Sequence, residues 1–277
     1  MSFLQIKEEI LSIGPDTIFY IGNFPIANTF LAILLLIVVF LIGGLWISRN
    51  FKVRPVKGQV VVELVYDMMK NLILQITTDG RHFNKIFFLV ATLFVYLTFA
   101  NLMSIVPGLT SLTYKGASIF RTPTTDFNTT FGLALAMVIL TQVVSVREWG
   151  MFGYFGRFLQ FKRVYAGFRK SFGEGLVAVI GFFVGLLDII SELAKVISLS
   201  LRLFGNIYAG EVLAIVVMGF IAYGFPSAVM ALSIFFGIIQ AMVFGSLVAA
   251  YYMSMTNPEL DEVEKTAKLE SNVVYKN

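Results

Sequence analysis

The stretch Gly175-LVAVIGFFVGLLDIISELAKVISLSLRLFGNIYAGEVLAIVVMGFIAYG-Phe225 decides how this chain folds. It is mostly apolar and suited to helix. As one helix it would run about 75 Å, more than twice the hydrocarbon thickness of a bilayer. Two ordinary spans or one very oblique helix would both accommodate it. It also carries Asp188, Glu192, Lys195, Arg202 and Glu211, and each charge held at bilayer depth costs several kcal/mol.

Composition supports a membrane setting. The chain has 277 residues, 57% hydrophobic and 14% charged, with 28 Phe, one His and no Cys. Its mean hydropathy is +0.82. Soluble domains carry about 25% charged residues, so many apolar side chains here must face lipid. The same figures exclude disorder, a collagen-like chain and nucleic-acid binding. Without Cys there is no disulfide framework, thiolate zinc site or Cys nucleophile. A lone His82, read as interfacial, leaves no His-based metal site or triad. No Gly-rich phosphate loop is present, so the expectation is no cofactor, no metal and no direct nucleotide binding.

Working outward, uncharged stretches mark further spans. Thr17–Ser48 is one, densest over Thr29–Ile47 at about 28 Å. Ile86–Val106 is a second, closed by Pro107-Gly108, and Phe127–Val146 a third. After Gly175–Phe225, the turn signal Gly224-Phe225-Pro226 precedes another complete span. Gly58–Thr78 differs: Val60, Val61, Leu64, Val65, Met68 and Leu72 recur at helical spacing against Glu63, Asp67 and Lys70. That pattern predicts either an interfacial amphipathic helix or a helix packed on its neighbours.

Lys and Arg set the orientation. They concentrate between Arg49 and Lys85, between Arg147 and Lys170, and in the tail at Lys265, Lys268 and Lys276. The N-terminal segment has only Lys7, and the loop after Pro107 only Lys115 and Arg121. The basic side is cytoplasmic, which puts the N-terminus outside. The net charge of +4 then follows from topology, and no nucleic acid is required.

At 100° per residue, Lys195, Arg202 and Asn206 share a helix face, with Asp188 near it. Glu211 points to the other side, about 13 Å further along the axis. Arg stays charged in proteins, and its own helix offers no anion one turn away. The partner of Arg202 is therefore expected from elsewhere, another chain included.

The segment Ile197-Ser-Leu-Ser-Leu-Arg202-Leu-Phe-Gly-Asn206-Ile-Tyr-Ala-Gly-Glu211 resembles the signature of subunit a of the F-type ATP synthase membrane sector, S-L-x-L-R-L-F-G-N-x-x-A-G-E. Asn101-Leu-Met-Ser-Ile-Val-Pro107-Gly108 is similar to that family's N-L-x-x-x-x-P-G span end. Pro123-Thr-Thr-Asp126-Phe-Asn128-Thr-Thr130 is similar to its P-T-x-D-x-N-x-T entry, and Gln240 falls where the family has its last-helix Gln. The resemblance runs from about Phe24 to Met255.

The resemblance implies an all-α integral membrane protein with about five membrane-crossing helices and one interfacial amphipathic helix. The last two helices, Gly175 to about Tyr223 and about Ser227 to Met255, would form a long tilted hairpin against a ring of c subunits. It implies an outer segment 1–23, a membrane domain 24–255 and a cytoplasmic tail 256–277. The location would be a bacterial inner (plasma) membrane, with peripheral-stalk b subunits and lipid as further partners. The role implied is non-catalytic: two offset aqueous half-channels and the fixed Arg202 couple proton or sodium flow to ring rotation and so to ATP synthesis, with the nucleotide chemistry in other subunits.

Carried over residue by residue, ion translocation falls to Arg202, Asn206, Glu211, Gln240, Asp188 and Ser233. Glu211 resembles the outer half-channel carboxylate and Asp188 the inner acidic residue, where relatives often have Glu. Ser233 stands where many relatives have His, and Ser104 where some carry an acid. Asn101 and Asp126 are candidates for the outer channel, with helix capping an equal expectation for Asp126. The competing class is a stand-alone secondary transporter or channel binding an anionic substrate at Arg202. Such folds often show internal repeats, and no second copy of the Arg202 segment is evident.

Overall fold

The computed structural model describes residues 14–52, 57–77, 83–106, 109, 112–114, 117–158, 169, 172–220 and 225–256. His82, Pro107-Gly108, Gly224, most of the basic connection before Ser171 and the tail beyond Thr256 lie outside the described residues. Strands β1 (Thr17–Ile21) and β2 (Phe24–Ala27) precede helices α1 (Asn28–Asn50), α2 (Lys57–Ile76) and α3 (Phe83–Leu102). Strands β3 (Thr113–Tyr114) and β4 (Ala117–Ser118) come next, then α4 (Phe127–Phe158), α5 (Phe172–Phe220) and α6 (Phe225–Thr256).

The fold is all-α, and among the described residues two small antiparallel hairpins are added to it. The first hairpin occupies the start of the uncharged stretch from Thr17. Its β-branched and aromatic residues favour extended backbone, and Gly22, at φ 64°, occupies the two-residue turn with Asn23. The span therefore begins as helix only at Asn28, whose backbone N–H donates to the Asp16 carbonyl at 3.0 Å.

Helix α5 is one continuous helix of 49 residues, which settles the choice left by its length. Among the described residues, three helical segments are long and apolar enough to cross a bilayer: Asn28–Asn50, Phe127–Arg147 and Ala228–Met255. Ile86–Leu102 is a shorter apolar stretch. On α1, Leu41 and Ile42 are 61% and 64% exposed. A helix so apolar and so uncovered is in contact with lipid.

The described residues form two compact units. One draws on Met1–Val62, Leu93–Phe131 and Ser200–Met242, the other on Glu63–Thr92, Gly132–Leu199 and Val243–Asn277. In the first, Ala32 and Leu36 of α1 pack with Ala100 of α3 and Met103, and Phe40 meets Phe99 edge to face at 5.3 Å. The Gln59 side chain bonds both the N–H and the carbonyl of Lys52, at 3.1 and 3.0 Å, tying the residue after α1 to the first turn of α2. In the second, Met69 and Ile73 of α2 are buried together with Ile86 and Val90 of α3. Val61 and Leu64 of α2 stay exposed beside exposed Asp67 and Lys70.

Helix α6 carries small residues at Gly237, Ala241, Gly245 and Ala249, all buried. That four-residue spacing makes one smooth seam for close backbone approach, the usual device for packing helices in lipid. A Cβ on Gly237 would stand 3.1 Å from Asn101 Cβ, and one on Gly245 3.0 Å from Val90 Cγ1.

Candidate functional site around Arg202

In the first unit α5 buries Ser200, Leu203 and Ile207, while Arg202 and Asn206 are exposed. Among the described residues the Arg202 guanidinium has no hydrogen bond and no ion pair. The helix thus presents a permanent cation outward rather than neutralising it.

Asn206, one turn on, donates from Nδ2 to Gln240 Oε1 of α6 at 2.7 Å. Gln240 is 3% exposed. Three residues earlier on α6, the Gly237 carbonyl accepts a hydrogen bond from Asn101 Nδ2 at 2.9 Å. Gln240 Nε2 and Asn101 Oδ1 are buried with no protein partner among the described residues. Buried amide atoms ordinarily find a partner, and water is the usual one. The surroundings of Arg202 are therefore uncharged, polar and able to bond water.

Glu211 is partly buried in the same unit. It takes a side-chain hydrogen bond from Thr122 and stands within electrostatic reach of Arg121. Arg121 is fixed in turn by donating to the carbonyls of Gly14 at 2.6 Å and Thr125 at 3.1 Å. In the sequence Arg121 bears on orientation alone, and Thr122 matches no quoted motif. Their place immediately before the Pro123-Thr-Thr-Asp126 motif was the available signal.

Ser233 donates to its own helix, to the Val229 carbonyl at 3.0 Å. Its Oγ would be 3.1 Å from a Cβ on Gly210, so it lies against the turn that carries Glu211. Asp126 is a helix cap: one oxygen accepts from the Asn128 N–H at 3.0 Å, the other from the hydroxyls of Thr129 at 2.9 Å and Thr29 at 3.3 Å. With those bonds made and only 2% exposure, Asp126 ties the start of α4 to the start of α1.

The second unit holds the other charges. Asp188 is partly buried and makes no hydrogen bond or ion pair among the described residues. Glu192 is fully engaged: one oxygen pairs with Lys195 Nζ at 2.7 Å and the other accepts from Gln142 Nε2 at 2.7 Å. Lys195 also lies 4.8 Å over the Tyr251 ring. Gln142 accepts from the Tyr154 hydroxyl at 2.8 Å. A straight helix would hold Gln142 and Tyr154 about 18 Å apart along its axis. Gly150 breaks α4 between them at φ 72° and ψ 160°, a conformation open to glycine. Sequence spacing had put Lys195 on the Arg202 face; its ion pair with Glu192 and its ring contact account for where it goes.

These placements group Arg202, Asn206, Glu211, Gln240, Ser233, Asn101 and Asp126 in one unit and Asp188 in the other. Among the described residues no cluster of His, Asp or Glu could hold a metal ion.

Comparison with known proteins gives a consistent result. The profile of the family described as ATP synthase A chain matches residues 29–253. The chain is 30% identical over 240 residues to "ATP synthase subunit a" of Moorella thermoacetica, covering 86% of this chain and 95% of that protein. It is 32% identical over 223 residues to the subunit of the same name from Desulforamulus reducens, covering 77% and 73%. It is 28% identical to "ATP synthase subunit a, sodium ion specific" of Propionigenium modestum, covering 91% and 88%. The chain belongs to the ATP synthase A chain family.

Proposed function

We propose that this chain is the ion-translocating stator subunit of an F-type ATP synthase, non-catalytic itself, working against a ring of c subunits and held by peripheral-stalk b subunits. The observation that carries the reading is Arg202, exposed on an apolar helix and without an anion among the described residues. An ionisable carboxylate on each passing c subunit supplies that anion. The fixed positive charge draws the arriving carboxylate into its ionised form, so it gives up its proton or sodium ion. The same charge repels any free cation that would otherwise pass straight through.

Two aqueous half-channels meet only through ring rotation. Glu211, with Thr122 and Arg121 beside it and Ser233 against the neighbouring Gly210, belongs to the outer one together with Asn101. Asp188 belongs to the inner one. Asn206 and Gln240 keep Arg202 in a polar but uncharged setting, so no resident carboxylate competes for it. The membrane domain runs from 24 to 255 and crosses five times, with α5 and α6 lying obliquely along the ring. The N-terminus is outside and the tail from 256 cytoplasmic, in a bacterial plasma membrane.

Purification from native membranes tests the assignment. Co-purification with a c-ring and a peripheral stalk is expected. A free monomer that transports an anionic substrate when reconstituted would replace it with the stand-alone transporter reading.

A further inference from the structure

A groove in the second unit is lined by none of the residues assigned to ion movement. Phe88 and Thr92 of α3, Leu140, Val144 and Arg147 of α4, and Tyr252 of α6 line a cavity of about 520 Å³, a volume within the range of small-molecule sites. Leu140, Val144 and Arg147 follow one another at helical spacing along one face of α4, over a rise of about 10 Å. The groove is therefore apolar along its length and cationic at one end. Phe88 is 73% exposed, so the groove is open at its side.

Arg147 supplies the chemical identity of the occupant. It ends the apolar segment Phe127–Arg147, which is the depth of the phospholipid headgroups. Its side chain is exposed and has no hydrogen bond or ion pair among the described residues. A guanidinium matches a phosphate with two parallel hydrogen bonds, and basic pockets between membrane helices are recurrent headgroup sites. We propose that this groove is a binding site for one anionic phospholipid, its phosphate on Arg147 and an acyl chain along Val144, Leu140 and Phe88. The lipid would fill the cleft lined by α3, α4 and α6. The site is independent of the ion-translocation reading and stands or falls separately.

Phosphatidylglycerol bearing a photoactivatable acyl chain, added to membranes containing the full-length chain in its native assembly, provides the test. Labelled peptides should map to the Phe88–Thr92 and Leu140–Val144 segments. Arg147→Gln should lower labelling about fivefold, and Arg147→Lys, which keeps the charge, by less. Val144→Trp fills the groove while leaving the cation, and should also lower labelling. Equal labelling of wild type and Arg147→Gln overturns the proposal. So does equal competition by phosphatidylcholine, or crosslinking of a photoreactive residue at position 144 to a polypeptide rather than to lipid.

Discussion

Asn206 on α5 and Gln240 on α6 are joined by a single amide-to-amide hydrogen bond of 2.7 Å, one helical turn from Arg202. It links the helix bearing the fixed cation to the helix beside it without adding charge. Membrane interhelical bonds of this kind are worth about 0.6 kcal/mol on average, so the pair matters more for placement than for stability. Gln240→Leu should leave the protein folded and membrane-inserted while lowering proton-driven ATP synthesis severalfold. Thermal unfolding of the solubilised complex and synthesis assays on the same vesicles separate the two effects.

Close packing on α6 gives a stability prediction. Gly237→Ala places a Cβ 3.1 Å from Asn101 Cβ, and Gly245→Ala places one 3.0 Å from Val90 Cγ1. Forced expansion of a tight contact costs about 1–3 kcal/mol. Gly132 of α4 has nothing within 4 Å of its Cβ position, so Gly132→Ala should be neutral or slightly stabilising. Unfolding temperatures of the three variants in one detergent check the order.

Two carboxylates four residues apart on α5 should behave differently. Glu192 is tied to Lys195 and Gln142, whereas Asp188 has no bond among the described residues. Partly exposed ion pairs contribute about 0.2–1 kcal/mol, so a Glu192→Ala, Lys195→Ala double-mutant cycle should show coupling within that range and retain transport. Asp188→Asn should lower passive and driven proton flux on the order of tenfold or more. Equal losses from Glu192→Gln and Asp188→Asn would contradict the division of roles.

Much of this was legible in the sequence because the informative residues are contiguous. The charges of α5, the Arg202 signature and the amphipathic pattern of α2 all lie in single segments, and the A chain family follows from them. The continuity of α5 was not readable from composition, since apolar helix of that length serves two spans or one equally well. The Gln142–Tyr154 link was invisible because it depends on the break at Gly150, and nothing in the sequence marks that glycine rather than Gly153 or Gly156 as the one that breaks the helix. The capping bonds of Asp126 reach back to Thr29 on α1, a distance that no local pattern encodes.

Thr122 and Arg121, found only in three dimensions, lead to another prediction. Hydrogen bonds to charged groups contribute about 1.5–3 kcal/mol, so Thr122→Val should impair ion flux from the outer side measurably, and Thr122→Ser should restore most of it. Flux in oriented vesicles, with the ion supplied on one side at a time, distinguishes this from a general folding loss.

The central claim rests on Arg202, and one measurement tests it most directly: proton- or sodium-driven ATP synthesis by assembled complexes carrying Arg202→Lys or Arg202→Ala. Lys keeps a charge but can be deprotonated and lacks the planar, delocalised head. The account predicts that both variants assemble yet lose coupled synthesis, with Arg202→Ala also leaking ions across the membrane. Normal driven synthesis by Arg202→Lys would contradict it.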